Sequence, residues 1–116
     1  MEVSPVISAS DKEKILEELG GLPAEIYDSL VAEHLALVKD KMRELNDLLE
    51  QGNYDEFRKL SHYLKSSSAN LRLVHFQDLG TMMENASEGS IDRDTLVQSM
   101  EKLEKLIANA EMEGLL

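Results

Sequence analysis

Apolar residues recur along most of this chain at helical spacing. Tyr27, Val31, Leu35, Val38, Met42, Leu45 and Leu49 follow one another at steps of 4, 4, 3, 4, 3 and 4. Steps of three and four return to one side of a helix, so these residues make a seam that packs against other helices. Leu96, Met100, Leu103 and Ile107 repeat the pattern towards the C-terminus. A third segment gathers Phe57, Leu60, Leu64 and Leu71 on one side, with the small residues Ser67 and Ser68 filling the same stripe.

Breaks divide these periodic stretches. Both prolines, Pro5 and Pro23, lie in the first fifth of the chain, and nothing beyond Ala24 forbids helix. Gly20-Gly21, Gly52 and Gly89 read as punctuation. Ser10 with Glu13, and Asn53 with Glu56, have capping-box spacing, each opening a helix. The predicted helices are at about 10–19, 23–51, 53–71, 75–88 and 91–113. Short connections make neighbouring helices antiparallel. The expected fold is all-α, an antiparallel up-and-down four-helix bundle with a short extra N-terminal helix. One domain is expected over residues 1–116, with 1–9 as a flexible N-terminal segment.

Composition narrows the function. The 116 residues include 12 Lys and Arg against 23 Asp and Glu, a formal charge of −11. Such a chain repels a phosphate backbone, which argues against general binding to nucleic acid or an anionic membrane. With no cysteine, disulfides, thiolate metal sites and thiol nucleophiles are all excluded. The longest apolar run is only a few residues, and Met1-Glu2-Val3-Ser4-Pro5 lacks the basic start of a signal peptide, so a cytoplasmic protein is expected. A carboxylate-bridged metal bundle needs Glu-x-x-His pairs on two helices. The residues three before His34, His62 and His75 are Val31, Lys59 and Arg72, so no metal site is expected.

One histidine falls outside the packing pattern. At about 100° per residue, His62 points roughly opposite the stripe of its helix and should face water. Further along that face Ser66 and Ala69 are both small, which leaves room for a partner to approach. Between Phe57 and Gln77 there are 21 residues without one Asp or Glu, while Arg58, Lys59, Lys65 and Arg72 lie inside that window. The expectation is a locally positive patch around His62, favourable to an incoming phosphoryl group. His34 borders the seam and should be packed, His75 should be on the surface, and the methionines read as core filler. Glu17-Glu18 and Glu101-Glu104 read as solvated helix faces.

The run His62-Tyr63-Leu64-Lys65-Ser66-Ser67-Ser68-Ala69-Asn70-Leu71 resembles the signature of the histidine phosphotransfer (HPt) domain of two-component phosphorelays, roughly His-x-Leu-Lys-Gly followed by small residues, Leu and Gly. The likeness extends upstream through Leu19-Gly20-Gly21 and the long apolar seam, and downstream through Phe76 and Leu79 to Glu84. It covers most of the chain, but only the segment around His62 is specific. The resemblance implies that His62 is the phosphoryl acceptor, that Lys65 steadies phosphoryl oxygens, and that Glu84 orients the imidazole through its other ring nitrogen. Ser67 and Ser68 would be helix-packing positions. Ser66 and Arg72 stand where the family usually has glycine; Arg72 must therefore either continue the helix or accept a strained φ.

An exposed imidazole is largely neutral at pH 7, and the neutral ring is the nucleophile. The chain has no Gly-rich phosphate loop and no kinase motif, so it should neither bind ATP nor make phosphohistidine alone. The resemblance implies a shuttle, not an enzyme. Its donor and acceptor would be receiver domains that supply the Mg²⁺, while the chain itself needs no cofactor. Docking would centre on Tyr63, Ser66 and Ala69 with Arg58, Lys59 and Lys65 at the rim, and a monomer is expected. Two other readings are open: a degenerate adaptor that binds receivers without transfer, and a metal-binding helical bundle.

Overall fold

Pro23, with φ of −58°, sets the first turn of the longest helix, and Gly52, with φ of +69°, follows its end. A proline fits the start of a helix because the first amides need no partner within it. In the computed structural model, residues 9–116 are described. They form five helices: α1 (Ala9–Glu18), α2 (Ala24–Glu50), α3 (Tyr54–Asn70), α4 (Val74–Ala86) and α5 (Arg93–Met112). No strand occurs among the described residues, and no helix is long and apolar enough to cross a membrane.

The predicted helices match these within one or two residues. α1 takes in both Ala9 and Ser10, so Ser10 is a helical residue and not the expected cap. Apart from Ala9, the N-terminal segment expected to be flexible lies outside the described residues. The cap at Asn53 is present, its side chain accepting from the Glu56 amide at 3.5 Å. Asp92 caps α5 more tightly, accepting from the Thr95 amide at 3.2 Å and the Thr95 hydroxyl at 2.7 Å.

α2 packs against α3 and α5, and α4 packs against the same two helices. The α2 seam is buried except at Met42, which is half-buried, and all four apolar residues of the α5 pattern are inside. Tyr27, Leu35, Leu45, Phe57 and Leu96 are fully enclosed, each contributing about 1.5–3 kcal/mol by burial. Ile15 brings α1 onto this core, with Leu16 and Leu19 partly covered beside it. Exposed ion pairs from Lys12 to Asp28 and from Arg72 to Glu18 flank that contact.

Two expectations need correction. Met83 and Met100 are core residues, but Met82 is 38% exposed and Met112 75%, because each falls off the buried stripe of its helix. In α3 the buried serines are Ser61 and Ser68, whereas Ser67 is half-buried and donates to the Tyr63 carbonyl at 2.9 Å. Ser61 sits four residues after Phe57 and three before Leu64, which puts it inside the stripe. Its hydroxyl is satisfied by the Phe57 carbonyl at 2.8 Å.

Polar ties fix α3 at both ends. The Tyr27 hydroxyl donates to the Leu71 carbonyl at 2.6 Å, joining the start of α2 to the end of α3. At the other end, Arg93 donates to the Leu49 carbonyl at 3.0 Å and to the Tyr54 hydroxyl at 3.2 Å. The end of α2 and the starts of α3 and α5 therefore meet at one place.

Candidate functional site

The buried face of α3 dictates what its outer face presents. With Phe57, Ser61, Leu64 and Ser68 turned inward, His62 stands away from the core, its side chain 58% exposed. α4 packs on α3 and brings Glu84 across to it. Oε1 of Glu84 lies 2.9 Å from Nδ1 of His62, and Oε2 lies 2.6 Å from Nζ of Lys65. A carboxylate can only accept, so the ring proton belongs on Nδ1. Nε2 then carries the lone pair and meets no partner among the described residues.

Glu84 is less exposed than His62, yet it is held as a carboxylate. The hydrogen bond from Lys65 does most to lower its pKa, the His62 contact adds to this, and partial burial opposes both. One carboxylate thus serves a ring nitrogen and an ammonium together. The structure brings His62, Lys65 and Glu84 into one cluster from positions up to 22 residues apart.

The positive patch expected from the acid-free window is not present, because acids from outside the window reach every base inside it. Arg58 donates to Asp55 at 2.9 Å, and Lys59 lies 3.3 Å from Glu56 and 3.6 Å from Asp55. Lys65 meets Glu84, and Arg72 meets Glu18 at 3.3 Å. Asp55 and Glu56 belong to the first turn of α3 itself, just before the window, whereas Glu84 and Glu18 come from α4 and α1.

Small and apolar residues share the outer face of α3 with the charged ones. Ser66 is exposed, Ala69 is half-buried, and Tyr63 presents 51% of itself to solvent. Arg58 is half-buried and Lys59 is exposed. These five residues lie on the outer half of α3, with Tyr63 displaced around the helix from the His62 side.

The end of α3 resolves the question raised by Arg72. Its φ is +59°, the only positive value at a non-glycine position among the described residues. The Arg72 amide bonds the Ala69 carbonyl at 3.0 Å and the Leu73 amide bonds the Ser68 carbonyl at 2.9 Å, the double closure of a Schellman motif. The arginine accepts the strained backbone and does not continue the helix. In return its guanidinium reaches the Ala69 carbonyl at 3.0 Å and Glu18 at 3.3 Å.

His34 and His75 take different places. His34 is 7% exposed, with Nε2 2.9 Å from the Ser68 hydroxyl, and burial lowers its pKa. His75 is exposed in the first turn of α4. Among the described residues no group of three or more His, Asp or Glu side chains is arranged to hold a metal ion. The His34–Ser68 link was not visible in sequence, since each residue alone looks like ordinary packing. No family model, curated protein or solved structure matches this chain.

Proposed function

We propose that this chain is a phosphoryl shuttle of the histidine phosphotransfer type, carrying phosphate on His62 between receiver domains. In this reading α2 to α5 form an antiparallel up-and-down four-helix bundle, with α1 as an added N-terminal helix. The observation that carries it is the ring of His62, 58% exposed and held by Glu84 through Nδ1, which leaves Nε2 for a phosphoryl group. The local residue pattern from His62 to Leu71 points to the same chemistry.

The step balances without a separate base. The Nε2 lone pair attacks the phosphorus of an aspartyl phosphate, the phosphorus–oxygen bond breaks, and the aspartate leaves as carboxylate. The ring keeps its Nδ1 proton and gains a positive charge, which the Glu84 carboxylate faces at hydrogen-bond distance. Lys65, one helical turn from His62, can turn from Glu84 towards the new phosphoryl oxygens. The donor receiver brings its own Mg²⁺, and transfer to a second receiver is the reverse reaction. Because docking must be released after each transfer, the interface is small and transient.

The test mixes the chain with phosphorylated receiver domains and follows acid-labile, base-stable phosphate on it, with His62→Gln alongside. Label on the wild type and none on the variant is the expected result. Equal labelling of both chains overturns the assignment of His62. Binding without label from any receiver makes the chain an adaptor.

A further inference from the structure

Of the six glycines in the chain, five have positive φ and one does not. The exception is Gly80, buried in the middle of α4. An interior helical glycine is a standing cost to helix stability, and here no backbone conformation requires it. Its neighbours supply another reason. A β-carbon built at Gly80 falls 2.8 Å from Cβ, 2.9 Å from Cα and 3.1 Å from the amide nitrogen of Lys65. Carbon atoms in good contact lie about 3.5–4.0 Å apart. Two of the three obstructing atoms are backbone, so no change of rotamer relieves the clash.

We propose that Gly80 is a positioning residue for the His62 site: its missing side chain seats α4 on the backbone of α3 at Lys65, and that seating carries Glu84 to His62 and Lys65 together. Glu84 is four residues beyond Gly80, on the same side of α4. Any displacement of α4 at residue 80 is therefore passed to Glu84. The two Glu84 contacts, at 2.9 Å and 2.6 Å, leave no slack, since hydrogen bonds fade beyond about 3.2 Å. A retreat of roughly 1 Å, the amount the clash demands, opens both. The consequence for phosphoryl transfer rests on the shuttle reading; the geometry does not.

Gly80→Ala tests this by nitrogen-15 NMR of the His62 ring, with Glu84→Ala as the reference for a lost contact and Thr81→Ala, on the exposed side of α4, as the control. The wild type and Thr81→Ala should show the proton on Nδ1. Gly80→Ala should melt cooperatively and show the ring signature of Glu84→Ala, and its phosphate uptake should fall to the rate of that variant. A folded Gly80→Ala with the wild-type ring signature overturns the proposal. Loss of cooperative melting overturns it too, because the glycine would then serve the core and not the site. If no receiver labels even the wild type, the shuttle reading fails while the ring spectra still decide the role of Gly80.

Discussion

Glu84 lies 2.9 Å from the Nδ1 atom of His62 through one carboxylate oxygen and holds Lys65 with the other. Removing the carboxylate in Glu84→Ala frees the ring to rotate and to change tautomer. A hydrogen bond of this kind contributes on the order of 1 kcal/mol, so phosphate uptake should slow about five- to tenfold. Rapid-quench kinetics with a phosphorylated receiver measures this. An unchanged rate would show that the ring needs no orienting group.

Lys65→Ala separates charge from packing. Alanine keeps the β-carbon that faces Gly80, so the approach of α3 to α4 should survive and the melting temperature should change little. Glu84 loses the partner that does most to lower its pKa, and its titration should move up towards the ordinary carboxylate range. A lowered carboxylate pKa stabilises the fold above the unfolded value, and that stability is lost as pH falls through the folded one. The variant should lose less stability on acidification below about pH 4.3. Carbon-13 titration of the glutamate carboxyls, beside melts at pH 3 to 5, checks both effects.

His34 should make the fold acid-sensitive at a milder pH. Burial lowers the pKa of its ring in the folded chain, whereas the unfolded ring titrates near about 6.5. The unfolded state binds the proton first as pH falls, so stability is lost from that value downward, by at most about 1.4 kcal/mol per pH unit. His34→Gln keeps a polar partner for Ser68 without titrating. Melts between pH 7.5 and 5 should show a flatter dependence for the variant; parallel curves would remove His34 as the cause.

Arg72 offers a test of strain. A left-handed conformation costs a non-glycine residue roughly 1–2 kcal/mol, while exposed ion pairs such as Arg72–Glu18 return little. Arg72→Gly should therefore raise the melting temperature by a few degrees. Arg72→Ala keeps the strain and loses the guanidinium contacts to Ala69 and Glu18, so it should melt lower than the wild type. If Arg72→Gly also melts below the wild type, those contacts outweigh the backbone cost.

Much of this structure is legible in a single sequence wherever burial follows helical period. The seam from Tyr27 to Leu49 and the run from Leu96 to Ile107 could be read directly, and the count of 100° per residue put His62 outside. The glycine-poor end of α3 was equally readable as a choice between two backbones, and Arg72 takes the strained one. What period could not show is what other helices bring. Glu18 and Glu84, which pair with Arg72 and Lys65, come from α1 and α4. Asp55 and Glu56, which pair with Arg58 and Lys59, stand just before the window on α3 and were readable from spacing alone. Gly80 gave only the weak signal of a glycine inside a helical pattern, and its reason lies across the interface at Lys65. Ser61 was available from its spacing to Phe57 and Leu64, but its polarity disguised it.

The three tyrosines and the absence of tryptophan give the molecule its own optical probes. Tyr27 is fully enclosed, Tyr54 is half-buried against Arg93, and Tyr63 stands half out of the surface beside His62. Burial and the nearby Asp28 raise the Tyr27 pKa, so its phenol should ionise above the ordinary tyrosine range in an alkaline titration. Ultraviolet difference spectra can then distinguish two events without any attached dye. Loss of structure changes the environment of Tyr27, whereas a partner settling over α3 changes that of Tyr63 and leaves Tyr27 as it was.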